Sequence, residues 1–388
     1  MVTRRNLLVG GGAAAAAVAG AGYFSVRGMG SMSDYDAYAA GLRAPLPQSA
    51  SVADLLRYAT LAANGHNTQP WRFRASEQRI AILPDFTRRT PVVDPDDHHL
   101  YASLGCAAEN LAIAAAARGR PGELRFESGA DTAVVLDYTE GASVSTPLFE
   151  AIPRRQSTRA EYDGRGVSAA DAELLSAAAA VPGVDTVLIT DRPTLRKVRD
   201  VVIAGNTRQM GDAAFVRELK QWLRFNPRDA MRAGDGLFGA ASGNPTLPGW
   251  LAPTMFDLVF KPKTENDKYA RHIDSSAGVA VFLAAQSDPQ HWVLAGRACQ
   301  RFALQATALG IRTAFINQPV EVAGLRPEMA ALAGFPGRRP DIIMRFGYGP
   351  ELPFSPRRAP PLAAAQAAQR LATATFANRC GEATALEG

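Results

Sequence analysis

The sequence predicts a chain of mixed helices and strands laid out twice, with a long excursion inside the second copy. Three observations lead there. Ser51 to Ala62 and Ser168 to Ser176 each set a serine before a run with apolar residues at helical spacing. Gly105–Gly119 overlays Gly296–Gly310, with Ala107/Ala298, Ala112/Ala303, Ala115/Ala306 and Ala117/Ala308 coinciding. Asp54 to Gly105 spans 51 residues and Glu173 to Gly296 spans 123, which leaves a surplus of 72 around Gly205–Ser276. That surplus is rich in Gly, Pro and aromatics, Phe238, Trp250 and Phe256 among them. Such an excursion reads as a lid or as a surface elaboration.

Composition sets the class. At 388 residues and 41.2 kDa the chain can hold two ordinary domains or one large core. Apolar residues make up 47% and charged residues 20%, the balance of a globular protein. The net charge of +5 and pI near 9.2 raise the question of nucleic acid. The arginines are scattered, and no basic run is interleaved with aromatics, so nucleic acid is excluded as a partner. Cys106, Cys299 and Cys380 lie far apart with no CxxC, and the first two sit in alanine-rich surroundings that suit buried, inert thiols.

The N-terminus reads as a targeting segment over residues 1–30. Thr3-Arg4-Arg5-Asn6-Leu7-Leu8 precedes a Gly/Ala-rich apolar run from Val9 to about Phe24, and Ala17-Val18-Ala19 offers a small-residue cleavage site. The paired arginines resemble a twin-arginine export signal, which places the protein outside the cytoplasm, membrane-tethered if the signal is retained. The run is short for a stable span, and none is expected after processing.

From Ser51 the elements follow in order. The Val52–Ala62 helix stops at Asn64-Gly65. The loop Asn64-Gly65-His66-Asn67-Thr68-Gln69-Pro70-Trp71 packs amides, an imidazole and an indole more densely than a connection requires. Ile80–Leu83 reads as a strand, and Asp94-Pro95 opens a helix that runs to Arg118. The cluster Asp94, Asp96, Asp97, His98, His99 suits the first turn of that helix, and no metal is assigned. Leu124–Phe126, Ala133–Tyr138 and Thr186–Thr190 read as strands. Ile311–Ile316 breaks into a polar turn at Asn317-Gln318-Pro319, and Asp341–Phe346 is a buried strand closed by Gly347-Tyr348-Gly349. Residues 361–388 form an alanine-rich tail of low information.

Ile152-Pro153-Arg154-Arg155-Gln156-Ser157-Thr158-Arg159 follows a turn expected at Pro147. If extended, it brings Arg155, Ser157 and Arg159 to one face. Guanidinium forks fit oxyanions, and on these residues alone a solvated basic stretch fits as well.

Four motifs together resemble the nitroreductase family of FMN enzymes, in its internally duplicated Acg-type branch. They are Arg155-x-Ser157-x-Arg159, the Asn64–Trp71 loop, Gly310 to Gln318, and Gly347-Tyr348-Gly349 with Arg357-Arg358. They span about residues 51–360. The resemblance implies an α+β, nitroreductase-like fold with a central, mainly antiparallel sheet and FMN held where two subunits meet. It implies FMN contacts at Arg155, Gln156, Ser157 and Arg159, at Asn317 and Gln318 near the reactive ring edge, and at Arg357 and Arg358. His66, Asn67 and Gln69 would come from the facing half. Asn64-Gly65 and Asn317 depart from the family's usual serines and acidic residue.

The loop occurs only in residues 31–145, and the arginines only in residues 146–360. Each half lacks what the other has. One chain would then make an intramolecular pseudo-dimer with a single composite FMN site, a monomer in place of the family's homodimer. The implied activity is NAD(P)H-dependent two-electron reduction of small nitroaromatic or quinone acceptors, which requires no catalytic side chain. An exported protein meets little NAD(P)H, and an insertion covering the flavin would make the chain an FMN store instead. A hydrolase lacks support, for there is no GxSxG elbow.

Overall fold

The computed structural model describes residues 28–129 and 132–360. The expected export segment and the alanine-rich tail lie outside these residues, apart from residues 28–30. In the first half, α1 (Met32–Leu42) and α2 (Val52–Thr60) lead to β1 (Trp71–Ser76) and β2 (Arg79–Pro84). The long α3 (His98–Ala117) follows, then β3 (Gly122–Glu127) and β4 (Ala133–Tyr138). The second half opens with α4 (Pro147–Ala151), α5 (Ala169–Ala178) and β5 (Val184–Ile189). The insertion carries α6 (Arg192–Gly211), α7 (Ala213–Trp222), α8 (Pro227–Ala233), α9 (Ala252–Val259) and α10 (Pro262–Asp274). Then come β6 (Gly278–Ala284), α11 (Pro289–Ala308), β7 (Arg312–Phe315), α12 (Gln318–Glu321), α13 (Arg326–Leu332) and β8 (Ile342–Gly347).

The fold is α+β. Each half has its own four-stranded antiparallel sheet, in the order β1-β2-β4-β3 and β5-β6-β8-β7. In chain order both sheets run first, second, fourth, third, and a long helix joins the second strand to the third in each. The insertion occupies the place of the Glu77-Gln78 turn that joins β1 to β2 in the first half. The two long helices pack against each other at the centre. A Cβ on Gly105 would stand 2.0 Å from the Val293 carbonyl oxygen, and one on Gly296 would stand 1.9 Å from that of Ala102. Only glycine lets the two backbones come this close.

Local chemistry accounts for the helix boundaries. Ser51 caps α2 in a full capping box with Asp54, and the Ser168 hydroxyl accepts from Asp171 N, both as the sequence predicts. Two expectations need correction. Pro147 does not make a turn; it opens α4, with the Thr146 hydroxyl as cap. The second helix begins at His98, not Asp94, because Asp97 adopts a left-handed conformation with φ of 58°. The Asp94 carboxylate instead accepts from His99 N and Leu100 N, each at 3.0 Å, satisfying the open first turn.

The last described residues return to the first helices. Tyr35 and Tyr38 donate to the carbonyls of Phe354 and Arg357 at 2.6 and 2.5 Å, and Arg43 donates to Ser355 O. This carries Arg357 into the interior beside the C-terminal end of α2.

Candidate functional site

The cavity is built from both halves and walled in part by the insertion. Its volume is about 380 Å³, within the range of small-molecule sites. Ala63–His66 and the first turns of α3 (His99, Ala102, Ser103, Cys106) line it from the first half. Arg159, Phe315, Asn317, Gln318 and Glu321 line it from the second. Phe215, Leu219, Phe225 and Phe256 give it an apolar wall supplied by the insertion. Of the residues expected from sequence, His66, Arg159, Asn317 and Gln318 therefore reach one cavity.

The loop that carries His66 is strained. His66, Asn67 and Gln69 have φ of 45°, 55° and 53°, three left-handed non-glycine residues within four positions. Hydrogen bonds hold this shape. Asn64 Oδ1 accepts from Gln69 N at 2.8 Å, and Ser103 Oγ accepts from Gly65 N. The side chains of Asn67 and Gln69 do not line the cavity. Asn67 Nδ2 donates to Gly236 O and Pro356 O, while its Oδ1 accepts from Arg357 at 2.6 Å. Gln69 donates to Gly234 O at 2.8 Å and accepts from Arg358 N at 2.9 Å. These two amides join the loop to the insertion and to the returning C-terminal segment.

The Arg155–Arg159 segment lies along the edge of the second sheet, but it does not bring Arg155 and Arg159 to one face of the cavity: Arg159 lines it and Arg155 does not. Ser157 bridges to Thr313, and Thr158 N donates to Thr313 O at 2.8 Å. From below, buried Arg345 donates to Thr158 O and Ala160 O at 3.1 and 2.7 Å. Arg345 also lies 4.0 Å over the Tyr162 ring. Arg159 is thus fixed at both flanks. Gln156 Oε1 accepts from Thr158 Oγ1 and Leu352 N, so its side chain braces the same segment.

Arg155 and Arg357 lie behind the wall at Ala62-Ala63. Arg155 donates to Leu61 O; Arg357 donates to Thr60 O, Leu61 O and Ala62 O. Arg43 joins them, a residue the sequence reading missed. Burial, opposed by Tyr35 and reinforced by Arg155, lowers its pKa to about 10. Burial, then Arg43 and Arg155, hold Arg357 well below the ordinary guanidinium value. Among the described residues none of Arg43, Arg155, Arg159 and Arg357 pairs with a carboxylate. Nε of Arg43 and of Arg155 is buried without a hydrogen-bond partner. So dense a set of unneutralised cations favours an anion.

Other polar atoms are also unpartnered. Gln318 Oε1 and His99 Nε2 are buried without partners in residues that line the cavity. Asn317 is partly committed, since its Oδ1 accepts from Ile343 N at 2.8 Å. His99 was visible in the sequence only as part of the Asp/His cluster. The possible ligand atoms of Asp94, His98 and His99 lie within 4.8 Å of one another. However, Asp94 caps the helix and His98 Nε2 is bonded to Asp341 Oδ1 at 2.9 Å. Burial pushes the His98 pKa well down and the Asp341 pKa up to about 6, so at neutral pH the imidazole is neutral and the carboxylate is still mostly ionised.

Known proteins share this chain's sequence over most of its length. It is 27% identical over 336 residues to the Mycobacterium tuberculosis protein named "Putative NAD(P)H nitroreductase Rv3131", covering 82% of this chain and 92% of that one. It is 22% identical over 322 residues to "Putative NAD(P)H nitroreductase acg" of the same species, covering 79% and 93%. The chain resembles the Acg branch of the nitroreductases. No family model matches it. Structural matches to this Acg-like chain include a nitroreductase with bound FMN from Desulfitobacterium hafniense, with TM-score 0.34, 15% identity, and coverage of 55% of this chain and 94% of that one. The FMN-dependent nitroreductase NfnB of Mycobacterium smegmatis, in complex with NADPH, matches with TM-score 0.34 and 13% identity, over 52% and 87%.

Proposed function

We propose that the chain is an FMN-binding oxidoreductase that reduces small nitroaromatic or quinone acceptors by two electrons, with NAD(P)H as donor. The carrying observation is the group of arginines without carboxylates, Arg159 in the cavity wall and Arg43, Arg155 and Arg357 behind it. FMN needs cations for its phosphate, polar partners for its ring edge and apolar surface for its ring faces. The residues present fit these needs. Arg159 would face the phosphate, with Arg43, Arg155 and Arg357 adding positive potential from behind the wall. Gln318, Asn317 and His66 offer polar groups, and the phenylalanines of the insertion offer apolar surface. The names of the mycobacterial relatives support the same reading.

When bound, FMN supplies the ring that accepts and passes on hydride. The protein's own part is electrostatic and steric. Arg159 favours negative charge inside a partly dry cavity. Burial first, and then Arg159 and His99, lower the His66 pKa to about 4, so the imidazole there is neutral at neutral pH. The apolar wall supplied by the insertion lowers the polarity of one side of the cavity. No side chain is assigned as general acid or nucleophile.

We further propose that the two sheets and their crossed helices form an intramolecular pseudo-dimer with one composite site, and that the protein is exported. The repeated strand order and the opposed glycines support the first point; Arg4-Arg5 with the apolar run after them supports the second.

A second reading, FMN sequestration, draws on the share of the cavity wall that the insertion supplies. Anaerobic mixing with NADPH, followed at the visible flavin band, separates the two. Rapid bleaching supports the reductase. A flavin that dithionite reduces but NADPH does not supports sequestration. A purified protein that is colourless and takes up no FMN overturns both.

A further inference from the structure

Cys106 on α3 and Cys299 on α11 are the two cysteines among the described residues, and both are free and buried. Their alanine-rich surroundings suit inert thiols. Cys106, however, also lines the cavity, which gives a small molecule a path to its sulfur.

Contacts on either side bring the two thiols together. Ala102, Cys106 and Asn110 form one row on α3, spaced four residues apart. At one end of the row, the Ala102 carbonyl oxygen would lie 1.9 Å from a Cβ on Gly296. At the other end, Asn110 Oδ1 accepts from Gln300 Nε2 at 2.8 Å. Cys106, midway, donates from Sγ to Gly296 O at 3.1 Å. Its sulfur therefore sits between Gly296 and Gln300, and Cys299 follows Gly296 by three residues on the same face of α11. The Cys299 thiol feels its neighbour: burial first, and then the Cys106 thiol, hold its pKa well above the ordinary value. Arg155 acts on both sulfurs. Burial lowers the Arg155 pKa, and charge on Cys106 or Cys299 raises it. With its Nε buried and unpartnered, this guanidinium offsets part of the cost of a thiolate between the helices.

We propose that Cys106 and Cys299 are a dithiol site, which small disulfides entering the cavity oxidise to a bond between the two halves of the chain. The Cys106 thiolate attacks one sulfur of the small disulfide. That S–S bond breaks, a mixed disulfide forms, and one thiol leaves with the proton that Cys106 gave up. The Cys299 thiolate then attacks the Cys106 sulfur, and the second thiol leaves with the proton from Cys299. Two S–H bonds and one S–S bond break, and the same number form. The cysteine pair is oxidised by two electrons and the small disulfide is reduced by two. The glycines at the crossing let the backbones approach as such a link requires. The bond clasps α3 to α11 beside the cavity. It involves no flavin and does not rest on the oxidoreductase reading.

The test incubates the full chain with hydroxyethyl disulfide, once native and once in urea, then blocks free thiols and maps the peptides by mass spectrometry. The expected result is a linked peptide pair joining Cys106 to Cys299, with Cys380 in no link. It should form roughly tenfold or more faster in the native chain than in urea, the advantage of two thiols held together. Cys299→Ala should stop at the first step, with Cys106 held as a mixed disulfide. Cys106→Ala should leave Cys299 unmodified, since Cys299 does not line the cavity. Cysteines 106 and 299 that both stay reduced overturn the proposal. So does a mixed disulfide that persists at Cys106 while Cys299 is present, or a link between them that forms only in urea.

Discussion

Gly105 and Gly296 take equivalent places on either side of the crossing of α3 and α11. Each abuts a carbonyl three residues before the other, at Val293 and at Ala102. The two glycines that overlay in the sequence thus meet at the centre of the fold, and neither leaves room for a side chain. Gly105→Val or Gly296→Val should force the helices apart and cost about 2–3 kcal/mol or more, the range of overpacked cores. Urea unfolding measures this. Gly41→Ala is the control: it has nothing within 4 Å, and alanine there should be neutral or slightly stabilising.

The arginines divide into those that face the cavity and those that also hold the fold. Arg159→Ala removes a cation with no partner among the described residues, so it should lower FMN affinity by roughly tenfold or more while leaving the unfolding midpoint nearly unchanged. Arg155→Ala and Asn67→Ala should weaken the same FMN. Asn67→Ala also strips a 2.6 Å hydrogen bond from buried Arg357, at a stability cost of about 1–3 kcal/mol. Flavin fluorescence titration beside thermal unfolding tests all three. If Arg155→Ala and Asn67→Ala differ in their effect on FMN, the single composite site is wrong.

His66 should make the protein sensitive to acid. Its folded pKa of about 4 lies below the ordinary histidine value of 6.5, through burial, Arg159 and His99. The unfolded chain therefore binds the proton more readily. The contribution is complete above pH 6.5 and is lost as pH falls toward 4. Asn tolerates the left-handed backbone at this position. His66→Asn should therefore fold and show a smaller drop in melting temperature between pH 6.5 and 4 than the parent. Equal slopes would remove His66 as the cause.

Gly349 affects the site from a distance. A Cβ there would lie 2.7 Å from Tyr162 Cδ1, and one on Gly347 would lie 2.8 Å from Cδ2. The Tyr162 hydroxyl donates to Thr158 O at 3.2 Å, and its ring lies under Arg345. Gly349→Ala should shift the ring, loosen the segment that carries Arg159 and lower FMN affinity several-fold, although it does not touch the cavity. Titration of FMN into this variant checks it.

The elements that could be read from the sequence are those set by neighbouring residues. Ser51 and Ser168 cap the helices they precede, and the strands around Ile80, Val135 and Ile343 are where alternation and apolar runs place them. The size of the insertion was legible from spacing, and its Gly, Pro and aromatic content suggested a lid or a surface elaboration, but which of its residues wall the cavity was not legible, because Phe215, Phe225 and Phe256 show no shared pattern along the chain. Arg43 was illegible for a similar reason. It ends an ordinary helix, and its surroundings, Phe354 and Ser355, lie more than 300 residues away. The start of α3 was misplaced because an aspartate that caps from outside a helix resembles, in sequence, one that begins it.

The return of residues 354–358 to α1 and α2 has a consequence for biosynthesis. Tyr35, Tyr38, Arg43 and the carbonyls that end α2 find their partners in some of the last residues of the described chain to leave the ribosome. The part made first is therefore completed last, and a chain stopped near Pro350 would lose order at its beginning. A truncation a few residues short of Phe354 should be detected by proteolysis around α1, not at the cut end.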